Sequence, residues 1–426
     1  MKNILKKTIQ YYKLNGLKST IKKIIYSYFK EFIILDQNKQ KYVEIKNLIG
    51  ALDINEAQYK ANFELLKKYA NKKVDMKTIN WFIPRFEHVL YGGIFTIFRF
   101  ADYFNRKGIK NRIIIYDDST VSETQTREAI KKGFKDLANE CEIVIYNGNL
   151  NDIPECDASI STFWTSAFFN LKFNKTKKKF YFIQDYEPMF YAANTMYAFA
   201  EMTYRFGFKA IVNTPGLKEV LCKKHDIECE SFVPSIDFSV YNISDKEIEE
   251  KLKKEKIRIV TYGRPNHERN AFELSLGALK VIKQKYGEKV EIFSVGAEWN
   301  EKDYGVEGLI KNLGKLNSLK EVADLYKTCD IGLVFMFTPH PSYQPFEYMG
   351  CGCNVVTNYN SANLWLLKNS ENCILVEPTI TLVANGIEKL IENKKLRNDL
   401  INNGLKILSQ NTWEDECEKI YRFINK

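Results

Sequence analysis

From about residue 79 onward, short apolar runs rich in β-branched and aromatic residues alternate with longer stretches whose apolar positions recur at helical spacing. The runs at residues 80–83, 112–116, 142–146, 158–161, 179–184, 210–213 and 231–233 predict strands, and the stretches between them predict amphipathic helices. Residues 244–256 break the pattern: they are almost entirely Lys and Glu, with Ile248 and Leu252 apolar, and read as a helix or linker at a domain boundary. The alternation resumes at 258–262, 290–295, 309–313, 331–336, 354–357 and 374–376.

Strands that alternate with helices predict an α/β architecture of parallel sheets covered on both faces, and two such series predict two doubly wound Rossmann-like domains. The division expected is a helical extension over 1–78, a first domain over 79–243, a second over 244–405 and a closing helix over 406–426. That last helix carries Trp413, Cys417, Ile420, Tyr421 and Ile424 at three- and four-residue spacing and suits docking on either domain. Sheets of this kind bind ligands beyond the carboxyl ends of their strands, so the expected site is a cleft between the domains.

Composition changes this picture mainly at the N-terminus. The chain has 426 residues, 45% of them hydrophobic, which is enough for more than one core. Its net charge of +10 is concentrated early: Lys2, Lys6, Lys7, Lys13, Lys18, Lys22, Lys23 and Lys30 all precede the first acidic residue, Glu31. Leu5, Ile9, Tyr12, Leu17, Ile21, Ile24, Ile25 and Tyr28 fall between them at helical spacing, an amphipathic basic pattern suited to anionic lipid at the inner membrane face.

No apolar run approaches the roughly 18–20 residues of a spanning helix, and the N-terminus lacks the continuous apolar core of a signal peptide, so a cytoplasmic protein with peripheral membrane contact is expected. The cations cluster in one arm without a recognition motif or an aromatic stacking platform, which argues against nucleic acid as a partner. The nine cysteines form no C-x-x-C pair and read as reduced core residues, and His88, His225, His267 and His340 lack metal-ligand spacing.

The candidate chemistry lies just after strands. Residues 339–352, Pro-His-Pro-Ser-Tyr-Gln-Pro-Phe-Glu-Tyr-Met-Gly-Cys-Gly, read as a loop that becomes a helix at Pro345. N–H groups and the helix dipole near Ser342, Tyr343 and Gln344 suit a phosphate, and Glu347 is an acceptor for sugar hydroxyls. Gly263-Arg264 follows a strand and Arg269 begins the next helix; two guanidiniums there suit a diphosphate. In the turn at 313–316, backbone groups around Gly314 and Lys315 are candidates to read a base edge. Gly92 and Gly93, ahead of a helix over 94–104, would let backbone approach the diphosphate from the opposite wall. Asp185, and after it Glu187, lie on the loop Gln184-Asp185-Tyr186-Glu187-Pro188, where a carboxylate orients an acceptor or takes its proton; His340 sits beside the expected donor.

The order of these features resembles the retaining GT-B glycosyltransferases of family 4: Gly-Arg, a basic residue six after the Gly, a Gly turn, then a loop into Pro-x-Glu-x-Met-x-x-Gly. More narrowly, Trp81-Phe82-Ile83-Pro84, His88-Val89-Leu90-Tyr91-Gly92-Gly93, the loop at 184–188, Tyr204-Arg205-Phe206-Gly207 and residues 338–343 are similar to the dTDP-rhamnose-dependent rhamnosyltransferases of bacterial surface-glycan assembly. The resemblance covers about residues 79–379. It implies transfer of rhamnose or another deoxyhexose, with retention, from a dTDP-linked donor to a growing and possibly lipid-linked glycan, with no metal or other cofactor required. It also implies Arg264 and Arg269 on the diphosphate, with Arg269 replacing the usual lysine, and Glu347 on the ribose as the second glutamate of an E-x7-E signature. The first glutamate of that signature would stand at Pro339 and is missing, which bears on how the sugar is recognised. An epimerase or hydrolase acting on a nucleotide sugar is the alternative on the same scaffold.

Overall fold

The computed structural model describes residues 39–426 apart from Tyr91 and Pro341; the basic arm read at residues 1–30 lies outside them. The chain divides into two units, Met1–Asn55 and Glu56–Lys426. In the first, residues 39–52 form a helix. The second holds both sheets.

The first sheet contains β1 (Thr78–Ile83), β2 (Lys110–Ile115), β3 (Glu142–Ile145), β4 (Cys156–Ser161), β5 (Thr176–Ile183), β6 (Lys209–Asn213) and β7 (Cys229–Phe232), in the order β3-β2-β1-β4-β5-β6-β7. The second contains β8 (Ile257–Gly263), β9 (Val290–Gly296), β10 (Lys311–Asn312), β11 (Ile331–Leu333), β12 (Asn354–Asn358) and β13 (Ile374–Val376), in the order β10-β9-β8-β11-β12-β13. All pairings are parallel. Each sheet reverses its winding once, between β1 and β4 and between β8 and β11, and a ligand crevice opens at the carboxyl ends of such a pair.

Burial explains why these segments are strands. Trp81, Phe82, Ile83, Ile113, Ile114, Phe182 and Ile183 are all at most 1% exposed on both faces of the first sheet, as expected of a parallel sheet covered twice. The buried Trp81 indole donates to Asn111 Oδ1 at 2.8 Å. Two expected strands are shorter than their apolar runs. The 309–313 run yields only the edge strand β10, and the 331–336 run ends at Leu333 because the Met336 N–H donates to the Asn358 side chain at 2.9 Å instead of joining the ladder.

The helix Glu56–Tyr69, read as part of an extension, packs on the first lobe: Asn62 Nδ2 donates to the Phe206 carbonyl at 2.9 Å and Oδ1 accepts from Lys179 at 3.0 Å. The charged 244–256 segment contains a helix, Asp245–Lys253, capped by Ser244. It is anchored to the second lobe by Lys251, whose buried ammonium donates to the carbonyls of Cys329, Cys351 and Gly352 at 2.9–3.1 Å. The closing helix, Trp413–Ile424, returns to the first lobe and buries Cys417, Ile420, Phe423 and Ile424 in its core. The two crossings between lobes are tied together, since Asn411 Nδ2 donates to the Val233 carbonyl and the Val233 N–H donates to Glu416, both at 2.9 Å.

Seven cysteines are buried, but the core reading fails for two: Cys222 is exposed and Cys229 half-buried, with their sulfurs 2.9 Å apart. Cys222 falls at an outward position of the helix Pro215–His225, which its apolar neighbours Val220 and Leu221 do not reveal.

Lys251→Ala would take the donor from the buried Cys351 and Gly352 carbonyls and leave the Cys329 carbonyl with the Cys353 thiol alone. It is expected to lower stability by about 2–4 kcal/mol, read from the denaturant midpoint. An unchanged midpoint contradicts the anchoring role.

Candidate functional site

The first-lobe wall of the cleft is built at the carboxyl ends of β1, β4 and β5. Thr162 Oγ1 donates to the Phe82 carbonyl at 2.7 Å, tying β1 to the segment after β4 where the winding reverses. The helix Gly92–Arg106 starts there with Gly92 at φ +49°, a left-handed conformation that glycine adopts without strain. Gln184, leaving β5, donates to the Gly93 carbonyl at 3.0 Å; a Cβ on Gly93 would stand 2.9 Å from that amide nitrogen. The open face of Gly93 is therefore used by a protein side chain in this structure.

Asp185 is only 4% exposed and fully engaged. Its Oδ1 accepts from the Tyr186 N–H at 2.8 Å, and its Oδ2 accepts from Arg269 at 2.7 Å and from Thr338 Oγ1 at 3.1 Å, both across the cleft. Glu187, in the short 3-10 turn Glu187–Phe190, accepts from the Tyr181 hydroxyl at 2.7 Å. Burial pushes its carboxyl up to about 8, against the stabilising Tyr181 hydrogen bond, and the charge of Asp185 adds to the rise. The regular helix then runs Thr195–Thr203.

The second-lobe wall is cationic. Arg264 follows β8 and donates to the Tyr262 hydroxyl at 3.1 Å; Arg269 lies over the Phe190 ring at 4.8 Å while holding Asp185. Between them, burial pushes His267 down to about 4, helped by the charges of Arg264 and Arg269, so the imidazole is neutral and the arginines dominate. Burial likewise lowers the pKa of His340, whose Nδ1 is enclosed without a hydrogen-bond partner. Asn360 Nδ2 fixes the His340 loop by donating to the carbonyls of Met336, Thr338 and His340 at 2.7–3.2 Å.

The helix after this loop spans Gln344–Gly350, one residue earlier than Pro345, which takes its second position. Ser342 Oγ and Gln344 Oε1 are hydrogen-bonded to each other. Tyr343 spans the cleft: Asn213 Nδ2 donates to its hydroxyl oxygen at 3.1 Å, and Thr96 Oγ1 lies 3.1 Å away. Burial pushes Glu347 up to about 7, opposed by a hydrogen bond from the Tyr241 hydroxyl.

Gly92, Gly93, Asp185, Glu187, Arg264, Arg269, His340, Ser342, Tyr343, Gln344 and Glu347 thus line one cavity of about 370 Å³ between the lobes. That volume is within the roughly 300–1,000 Å³ of small-molecule sites. Gly314 and Lys315 are not in its lining. Their turn leaves the edge strand β10, and the N–H groups are taken by Asn312 Oδ1 at 3.1 Å and Glu298 Oε1 at 3.3 Å. Among the described residues no group of three or more His, Cys, Asp or Glu is disposed as a metal site. Sequence reading missed Thr338, Tyr241 and Asn360. Asn360 carried a local signal, the Asn358, Asn360 and Asn363 run from the end of β12, since asparagines so placed tie turn backbone to side chain.

Residues 78–214 match the WsaF N-terminal domain and residues 257–388 the WsaF C-terminal domain, together well over half of the chain. The O-antigen biosynthesis protein RfbC of Myxococcus xanthus is 40% identical over 348 residues; the match covers 82% of this chain, and the chain spans 27% of that protein's length. Among solved structures, Anabaena HepE in complex with UDP and glucose has a TM-score of 0.63 at 15% identity, over 83% of this chain and 100% of that one. Sucrose-phosphate synthase of Thermosynechococcus elongatus has a TM-score of 0.61 at 10% identity, over 82% and 98%. WaaG, a glycosyltransferase involved in lipopolysaccharide biosynthesis, has 0.55 at 13%, over 82% and 99%. These likenesses show the fold, two Rossmann-like lobes facing across a cleft in the GT-B arrangement.

Because folded Glu187 keeps a proton that the unfolded chain releases near its ordinary value of 4.5, its contribution is full below that pH and is lost as pH rises to about 8. Glu187→Gln is expected to flatten this part of the stability profile, followed as denaturant midpoint against pH. Parallel profiles for the two proteins contradict the assignment.

Proposed function

We propose that this chain, which belongs to the WsaF family, is a glycosyltransferase that moves a sugar from a nucleoside diphosphate to a growing bacterial surface glycan. The observation that carries this reading is the pair Arg264 and Arg269 on one wall of a closed cleft, facing the carboxyl-lined wall around Asp185 and Glu187. Glycosyl transfer passes through an oxocarbenium-like state while negative charge grows on the departing diphosphate. Two permanently charged guanidiniums stabilise that charge by multi-donor contact, the work a divalent ion does elsewhere.

Arg269 is already paired with Asp185. An arriving diphosphate competes for that guanidinium and frees the Asp185 carboxylate on the acceptor side, so donor binding readies the group that orients the acceptor. Glu347, enclosed and hydrogen-bonded by Tyr241, is the sugar-hydroxyl contact. A 6-deoxy sugar such as rhamnose, carried by dTDP, suits the less polar surface that Pro84, Phe190 and Met336 give the cavity, consistent with Pro339 where a glutamate would stand. Transfer proceeds with retention, the leaving phosphate taking the acceptor's proton. The acceptor is a glycan, lipid-linked at the cytoplasmic face, where the basic segment over residues 1–30 would hold the protein.

A thermal-shift screen over nucleotide sugars, followed by calorimetry, tests this. Arg264→Ala is expected to weaken nucleoside-diphosphate binding by about 10- to 100-fold, the worth of one charge-assisted contact. Asp185→Ala is expected to tighten it several-fold, because Arg269 loses its competitor, while sugar transfer falls. Wild-type binding in Arg264→Ala, or no stabilisation by any nucleotide sugar, contradicts the reading.

A further inference from the structure

A second cavity, of about 720 Å³, lies away from the cleft, at the amino ends of β5, β6 and β7 on the far side of the first lobe. Its lining includes Lys67, Lys177, Lys178, Lys179, Lys209 and Arg205, against only Asp226 and Glu228. Most of these charges have partners. Lys177 pairs with Asp157 and Lys209 with Glu228, each at 2.6 Å. Lys179 donates to Asn62, the Leu171 carbonyl and Asn174 at 2.9–3.1 Å, with no carboxylate among them.

Lys178 differs. It is 7% exposed, lines the cavity, and its ammonium makes no hydrogen bond or ion pair with any described residue. The nearby carboxylate of Glu228 is held by Lys209, and Lys209 itself disfavours the Lys178 charge. Lys178 is partly desolvated and has no partner there, and an anion entering the cavity would supply one. Part of the remaining wall is apolar: Phe63, 38% exposed, lies with Leu66 against Gly207, and Phe208 and Ile227 continue the surface.

We propose that this cavity is a second binding site, for a phosphate-bearing amphiphile whose anionic head meets Lys178 and whose hydrocarbon lies on the Phe63 and Leu66 wall. The site is separate from the interdomain cleft and does not depend on what the cleft binds. A lipid headgroup and free phosphate share the anionic chemistry.

Calorimetry on the full chain with dihexanoyl phosphatidic acid, dihexanoyl phosphatidylcholine and inorganic phosphate separates these sources. Phosphatidic acid is expected to bind and phosphatidylcholine not. Lys178→Met should weaken phosphatidic acid by about ten-fold or more, as loss of one charge-assisted contact does. Lys67→Ala, at an exposed position that cannot disturb the core, should weaken it less. Weaker binding of inorganic phosphate assigns the site to lipid, and equal binding, lost in Lys178→Met, assigns it to free phosphate. Equal affinity for the two lipids, wild-type affinity in both variants, or no binding of any probe overturns the proposal.

Discussion

The ion pair between Arg269 and Asp185 is the contact on which the cleft depends. Arg269 belongs to the second lobe and Asp185 to the first, and their 2.7 Å contact is joined by Thr338 on the same carboxylate oxygen. With Asp185 almost fully enclosed and Arg269 one-third exposed, the pair is neither a solvated surface bridge of little worth nor a dry interior one. It links the lobes across a gap that Tyr343 also spans, toward Thr96 and Asn213. Gly216 sets the limit on another side of the interface, since a Cβ there would stand 2.5 Å from the Ala362 backbone.

Enclosing the cleft sets its electrostatics. The burial that leaves Arg264 and Arg269 as its dominant charges also raises Glu187 and Glu347 and lowers His267 and His340. At neutral pH the carboxyls near the arginines therefore compete with an incoming anion less than their number suggests, and Asp185 is the one carboxylate bound directly to a guanidinium there. Parallel winding brings these groups together: each sheet delivers its loops to the same crevice at the point where its strand order reverses.

Each of the thirteen strands overlaps an expected run, and the central ones were legible because a strand buried on both faces must be apolar along its length. What the runs did not encode was where backbone leaves the ladder for a side-chain partner, as at Met336 and Asn358, or how short an edge strand becomes, as at β10. Eleven of the thirteen site residues read from sequence line the cavity, since residues just after strands share one end of a parallel sheet. The partners were not legible. Asp185 and Arg269 are 84 residues apart, and Lys251 meets the Cys351 carbonyl 100 residues away, so no local spacing announces either contact. The Lys178 cavity was hidden for a related reason: residues 177–179 are consecutive lysines at a strand's start, and only the fold encloses two of them.

A crystal structure with a bound nucleoside diphosphate tests the central claim most directly. The β-phosphate is expected within hydrogen-bond distance of both Arg264 and Arg269, with Arg269 released from Asp185. A diphosphate seated elsewhere, with the Arg269–Asp185 pair intact, contradicts it.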